Sequence, residues 1–346
     1  MTAQNPADAG LIHARPELGG GAATPSFGLP PGAADGLPAR PAPTRIGGTS
    51  FAWGARTYVM GILNATPDSF SGDGLLEAAD PVAAALARAR QMVSEGADLL
   101  DVGGESTRPG HEIVDAATEI ARVVPVIRAI QRALPDIPMS IDTTKSAVAE
   151  AAIDAGAALV NDVWGVADDD ALLRVAADGG VPIVLMHNRA EARYVNLVAE
   201  VLADLQAAIE RALRAGIAWD AIVVDPGFGF GKTAEQNLAL LRALERFQLL
   251  GRPVLLGTSR KSTLGKVLDL GPAERVEATV ATTVLGVAAG VDIIRVHDVL
   301  ANVRAARMAD AVVRGWAPAS AASEPAASPE GTPSQEANGS RGPAPR

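Results

Sequence analysis

The chain has no cysteine among its 346 residues, which excludes disulfides, thiolate nucleophiles and Cys-ligated zinc. Histidine is scarce: His13, His111, His187 and His297 lie far apart, with none of the short spacings that build a zinc centre. Positive charge is in deficit, with 30 basic residues against 40 acidic and a net charge of −10. A surface of that sign repels nucleic acid and anionic lipid, so neither is an expected partner, and any bound anion needs a local basic pocket. No apolar run is long and clean enough to span a bilayer, and no basic segment followed by an apolar one opens the sequence. A cytoplasmic enzyme is the expectation.

Both ends lack a periodic apolar pattern. Residues 1–48 are rich in Gly, Pro and Ala, and 316–346 in Pro, Ser, Ala and Glu. Neither stretch could bury enough apolar surface to offset its ordering entropy, so both are expected to be disordered tails. Without the tails, the core of residues 49–315 holds 34 acidic and 25 basic residues. Its length suits one barrel of about 250 residues.

What the core does contain is eight short apolar runs, each ending on polar residues: 58–63, 98–102, 138–141, 158–160, 181–185, 221–224, 253–256 and 291–294. The runs favour Val, Ile and Leu without clean alternation, as parallel strands buried on both faces do. Helix-length stretches rich in Ala, Leu and Arg separate them; those at 83–95, 147–155 and 197–215 each end at a glycine. Eight strand-then-helix units predict a parallel (β/α)8 barrel, the TIM-barrel fold, with its chemistry on the loops at the carboxyl ends of the strands. A hairpin over 51–56 with its turn at Gly54 is expected to cover the barrel floor.

The strand ends carry the unusual residues. Asn64 opens a polar loop punctuated by Pro67, Gly72 and Gly74, and Gly103–Gly110 is a second flexible loop with Thr107, Arg108 and Pro109. An arginine on such a loop suits closure over an anionic substrate; the plainer alternatives are an ordinary turn and a solvated arginine. Asp142, Asn161 and Asp225 end the third, fourth and sixth runs and could read the N–H donors of a heterocycle edge. Hydrogen bonds to charged groups contribute roughly 1.5–3 kcal/mol each, and a site built on them can reject analogues by on the order of 10⁴-fold. The alternative for each is a helix N-cap. Arg260, Lys261, Arg295 and His297 gather after runs seven and eight, the usual phosphate corner of this architecture.

One motif fails on inspection. Gly227–Thr233 looks like a P-loop, but Pro226 stands where the first glycine belongs, and Lys232 takes the third glycine position of a dinucleotide fingerprint. A tight loop presenting Phe228 or Phe230 to the site is expected instead. His187 reads best as a satisfied structural histidine, its role otherwise open.

Taken in order, Asn64–Phe70, Asp101–Gly110, Ser140–Thr143, Asn161–Val163, Asp225–Phe230, Ser259–Lys261 and Arg295–Asp298 resemble the dihydropteroate synthase family over about residues 57–313. The family commonly has valine where Ala65 stands, and the segment after His187 is short. The resemblance implies condensation of 6-hydroxymethyl-7,8-dihydropterin diphosphate with p-aminobenzoate, Mg²⁺ as cofactor, a homodimer and sensitivity to sulfonamides. It further implies that Asp142, Asn161, Met186, Asp225 and Lys261 hold the pterin, with Thr107 also touching the pterin diphosphate. Arg295, His297 and, through Mg²⁺, Asn64 would hold the diphosphate. Phe70, Thr107, Pro109, Phe230 and Ser262 would border p-aminobenzoate, and Asp142, Arg108 and Lys261 would serve the chemical step. Two alternatives stand beside it: a folate-dependent methyltransferase barrel, disfavoured by the Ser259–Lys261 and Arg295–His297 motifs, and a non-catalytic pterin-binding paralogue.

Overall fold

Eight parallel strands run in ladder order, each followed by a helix, in a computed structural model that describes residues 40–66, 80–105, 114–164 and 170–316. A short antiparallel hairpin, β1 (Thr44–Ile46) and β2 (Thr49–Phe51), precedes them. The barrel strands are β3 (Tyr58–Asn64), β4 (Leu99–Gly103), β5 (Met139–Asp142), β6 (Leu159–Asp162), β7 (Ile183–Met186), β8 (Ile222–Asp225), β9 (Leu255–Leu256) and β10 (Ile293–Val296). The helices are α1 (Pro81–Ser94), α2 (Ala116–Ala133), α3 (Ser146–Ala155), α4 (Ala171–Asp178), α5 (Leu197–Arg214), α6 (Ala234–Arg242), α7 (Ser262–Leu268), α8 (Val276–Ala288) and α9 (Val299–Val313).

The sheet order is β8-β7-β6-β5-β4-β3-β10-β9, and a bridge between Val224 and Val254 closes the ring. At that seam Val224 N–H donates to the Pro253 carbonyl at 2.9 Å. The predicted glycine stops hold: Gly96, Gly156 and Gly216 follow α1, α3 and α5 with φ of +102°, +117° and +99°, a region other residues avoid.

The pleat sorts side chains in two directions. Val59, Leu63, Leu100, Val102, Ile141, Val160, Leu185, Val224, Leu256 and Ile294 face outward and pack against the helices. Met60, Leu99, Leu159, Val184, Val223, Leu255 and Ile293 face inward and form one cluster with Ile46, Phe51, Trp53 and Tyr58. Burying a large apolar side chain contributes about 1.5–3 kcal/mol, so this plug is a strong anchor. Its rings interlock, with Phe51 and Tyr58 centroids 4.7 Å apart and Trp53 edge-on to Tyr58 at 5.6 Å.

Two expectations are corrected here. The floor hairpin is not the 51–56 segment; it turns at Gly47–Gly48, where Gly47 has φ +57°, and only its second strand reaches Phe51. Residues 44–48 therefore belong to the fold, not to the tail assigned to 1–48. Every barrel strand but β9 also continues beyond its apolar run, so Asn64, Asp142, Asn161 and Asp225 are ladder residues, with Asp142 directly opposite Asn161.

Candidate active site

Two residues above the apolar plug, the inward pleat positions of four strands turn polar, while Ile62 and Met186 stay apolar. Met60 gives way to Ile62, Leu99 to Asp101, Leu159 to Asn161, Val184 to Met186, Val223 to Asp225 and Ile293 to Arg295. Leu255 gives way to Gly257, where even a Cβ would lie 3.7 Å from the Arg295 Cβ and 4.0 Å from the Lys261 ammonium. The barrel thus holds a charged layer on an apolar floor.

Arg295 is the centre of that layer. Its Nε donates to Asp101 Oδ2 and its Nη2 to Asp142 Oδ2, both at 2.5 Å. Asp101, fully buried, also accepts from Asn161 Nδ2 at 3.1 Å and from the Ser140 hydroxyl. Burial alone would lower the Arg295 guanidinium; Asp101 and Asp142 outweigh it and hold the group above its usual range. Burial pushes Asp142 up to about 7 despite the pull of Arg295. Asp142 Oδ1 is buried and, among the described residues, has no hydrogen-bond partner. Leaving such an atom unsatisfied costs roughly 1–3 kcal/mol, which a ligand N–H or a developing positive charge would offset.

Asp225 Oδ1 accepts from Gly227 N at 2.7 Å, and burial raises its carboxyl against the opposing charge of Lys261. Lys261 donates to the Phe228 carbonyl, and its ammonium lies 4.3 Å from the centre of the Phe230 ring. Burial brings Lys261 down to about 7, with Asp225 resisting and Arg295 reinforcing. Met186 is buried at the end of β7. Ser259 Oγ accepts from His297 N at 3.1 Å and lies 2.9 Å from His297 Nδ1.

The helix-cap alternative is removed for all three strand-end residues. Lys145 occupies the N-cap position of α3, Asp170 that of α4 and Thr233 that of α6. The expected group of four cations is smaller than the sequence implied, because Arg260 forks onto Asp298 at 2.9 and 2.6 Å. Of the two phenylalanines in the Gly227–Gly231 loop, Phe228 is fully buried in the outer core and Phe230 lies beside Lys261. Ser262 is exposed and opens α7. Phe70, Thr107, Arg108 and Pro109 lie outside the described residues.

Sequence reasoning gave no role to Asp101, Ser140 or Ser259, although Asp101 could have been found by strand parity, two residues from the inward Leu99. Asn64, partly exposed at the end of β3, offers an amide oxygen at the rim. Among the described residues no group of three or more His, Asp or Glu side chains forms a metal cage. Such a donor set fits a magnesium ion that retains waters and takes other oxygens from a bound phosphate, since that ion needs only one or two protein ligands.

A family profile described as pterin binding enzyme matches residues 60–297. Dihydropteroate synthase from Clostridium beijerinckii is 53% identical over 271 residues, covering 78% of this chain and 99% of that protein. The chain belongs to the dihydropteroate synthase family. Among solved structures, dihydropteroate synthase from Clostridium difficile in the presence of pteroic acid superposes with TM-score 0.73 at 49% identity, over 76% of this chain and 99% of the other. The Xanthomonas albilineans dihydropteroate synthase with 4-aminobenzoic acid gives TM-score 0.70 at 44% identity, over 75% and 93%. The charged layer of the barrel lies wholly within the family match, from Asp101 to Arg295.

Proposed function

We propose that this chain joins 6-hydroxymethyl-7,8-dihydropterin diphosphate to p-aminobenzoate, releasing diphosphate and 7,8-dihydropteroate. The observation that carries this is the inward layer of Asp142, Asn161, Asp225 and Lys261, with a buried carboxylate oxygen on Asp142 that has no hydrogen-bond partner among the described residues. Asn161, Asp225 and Lys261 read the donor and acceptor edge of the pterin, and Met186 packs near its face. Arg295 commits Nε and Nη2 to carboxylates, leaving Nη1 to meet the diphosphate beside His297. Asn64 would hold Mg²⁺ arriving with the diphosphate, and the metal would supply charge neutralisation on the leaving group.

Chemically, the C–O bond from the pterin methylene to diphosphate breaks and its electron pair leaves with the diphosphate. Asp142, as carboxylate, stabilises the positive charge left at the methylene. The neutral aromatic amine then forms the C–N bond with its lone pair and loses a proton to solvent, so no strong general base is required. Arg108 closes over the reacting groups, and Phe70, Thr107, Pro109, Phe230 and Ser262 border the second substrate. A sulfonamide, which carries an arylamine of similar shape, would compete there.

Residues of α8 and α9 support a homodimer. Leu300, Met308 and Val312 lie four to eight residues apart on α9 and are 41%, 66% and 73% exposed, with Val284 and Leu285 exposed on the neighbouring α8. No helix among the described residues is long and apolar enough to cross a membrane. We assign the reaction to the cytoplasm, where charge retains a diphosphate ester.

The test is diphosphate release from the pterin substrate on adding p-aminobenzoate and Mg²⁺. Release should stop with EDTA and return with added magnesium; full activity in EDTA would remove the metal role from Asn64. Tight pterin binding without release would favour the non-catalytic paralogue.

A further inference from the structure

The loop that imitates a P-loop in sequence turns its lysine inward. Lys232 Nζ donates to the Gly227 carbonyl at 2.9 Å, to the Phe230 carbonyl at 3.0 Å and to His187 Nδ1 at 3.0 Å. With the His187 carbonyl at 3.5 Å, four acceptors surround the three ammonium hydrogens. Burial brings Lys232 down to about 7 against the pull of Asp225; with Lys232 as ammonium, Nδ1 accepts, and His187 carries its hydrogen on Nε2, which donates to Asp204 Oδ2 at 3.0 Å. Asp204 is held in turn by Arg189 through Nε at 2.8 Å and Nη2 at 2.7 Å. His187 is fully buried, and burial, with Lys232 adding to it, brings the imidazole down to about 4.

The loop has no other place to go. Gly227, Gly229 and Gly231 take φ of +70°, +84° and +55°. A Cβ on Gly227 would fall 1.8 Å from the His187 carbonyl oxygen, on Gly231 2.3 Å from that of Arg189, and on Gly229 2.7 Å from Lys261 Cδ. The backbone is therefore wedged between the segment after β7 and the Lys261 side chain. Steric fit sets how close it comes, and the ammonium gathers both of its ends.

We infer that Lys232 is a positioning residue for the second-substrate pocket: by drawing the Gly227 and Phe230 carbonyls onto one buried ammonium, it sets the Phe230 ring beside Lys261. This rests on the proposal that Phe230 borders p-aminobenzoate. Lys232 spends its hydrogens on protein acceptors, and the P-loop resemblance comes from the same need for a compact glycine turn.

Lys232→Met keeps the length and removes every donor. With three hydrogen bonds lost at the loop, KM for p-aminobenzoate should rise about tenfold or more, while calorimetric affinity for the pterin diphosphate should change less than about threefold. Lys232→Gln, which keeps one donor group, should fall between the variant and wild type, and it carries the test if the methionine variant does not fold. Nitrogen-15 NMR of His187 reports the loss of the neighbouring charge, and the split between the two substrates separates that loss from general loosening. The ring is faced by Lys232, Asp204, Arg189 and Tyr194, and losing the first while keeping Asp204 should move its titration upward from about 4. A p-aminobenzoate KM within about twofold of wild type, or equal weakening of both substrates, would overturn the assignment. An unmoved His187 titration would overturn it as well. Wild-type protein that releases no diphosphate would sink the functional proposal instead, a result distinct from a variant-specific rise in KM.

Discussion

Asp101→Asn isolates the charge at the centre of the barrel from its shape. Asp101 Oδ2 accepts from Arg295 at 2.5 Å and from Asn161 at 3.1 Å, while Oδ1 takes the Ser140 hydroxyl. An asparagine can keep its oxygen toward Arg295 and Asn161 and turn its amide hydrogens to Ser140 Oγ. Ser140 can then donate to the Leu100 carbonyl, already 3.3 Å away. No cavity opens, so the loss is that of a charge-assisted hydrogen bond, roughly 1.5–3 kcal/mol. Arg295 keeps Asp142, so the full cost of an uncompensated buried charge, about 3–5 kcal/mol, should not appear. At about 2–4 °C per kcal/mol for a domain of this size, Tm should fall by roughly 3–12 °C. Asp101 also helps raise Asp142, so its neutralisation should bring Asp142 below about 7. Asp101→Leu, which leaves two donors without an acceptor, should be worse than the asparagine variant. Thermal melts with carbon-13 titration of Asp142 test both effects. Unchanged Tm together with an unmoved Asp142 titration would show that Asp101 does not organise this layer.

Lys261→Met should weaken pterin diphosphate binding by about tenfold or more, yet stabilise the protein by about 1 kcal/mol below neutral pH. Burial holds Lys261 near 7, below its unfolded value, so the charged ammonium is a penalty below about 7 that fades as pH rises above it. The gain should shrink correspondingly at high pH, and a variant that gains nothing at pH 6 would contradict the burial argument. Replacing Met308 and Val312 by aspartate should convert a dimer to a folded monomer in light scattering; an unchanged mass would remove that face of α9 from the interface.

The fold was legible because parallel strands buried on both faces announce themselves as unbroken apolar runs, and glycines after α1, α3 and α5 mark their ends. Strand limits were read a residue or two early because the runs were cut where polarity began. The ladder does not stop there: Asn161, Asp162 and Asp225 still pair through their backbones while their side chains change chemistry. The hairpin was misplaced because Gly54 also has positive φ, +78°, and three-residue strands carry too little pattern to compete. Site residues at strand ends could be read locally. What could not be read was pairing across the chain. Arg260 meeting Asp298, and Asp101 meeting Arg295 from the far end of the sequence, are facts of closure. The P-loop could be rejected on Pro226 alone, but the role of Lys232 could not be read, because its inward turn onto its own loop is tertiary.

The ring of strands is welded unevenly. Between β8 and β9 the pairing is reduced to the bridge at Val224 and Val254, while every other seam has a ladder of two or more residue pairs. Asp225 stands on one lip of that slit and Lys261 just beyond the other, each feeling the other's charge. A ligand gripped by both residues therefore works as a rivet, adding the rungs that the backbone omits. Amide exchange along Val223–Asp225 and Val254–Leu256 would slow on binding more than exchange in β4 or β5, so the weakest joint of the scaffold would be mended by the molecule it serves.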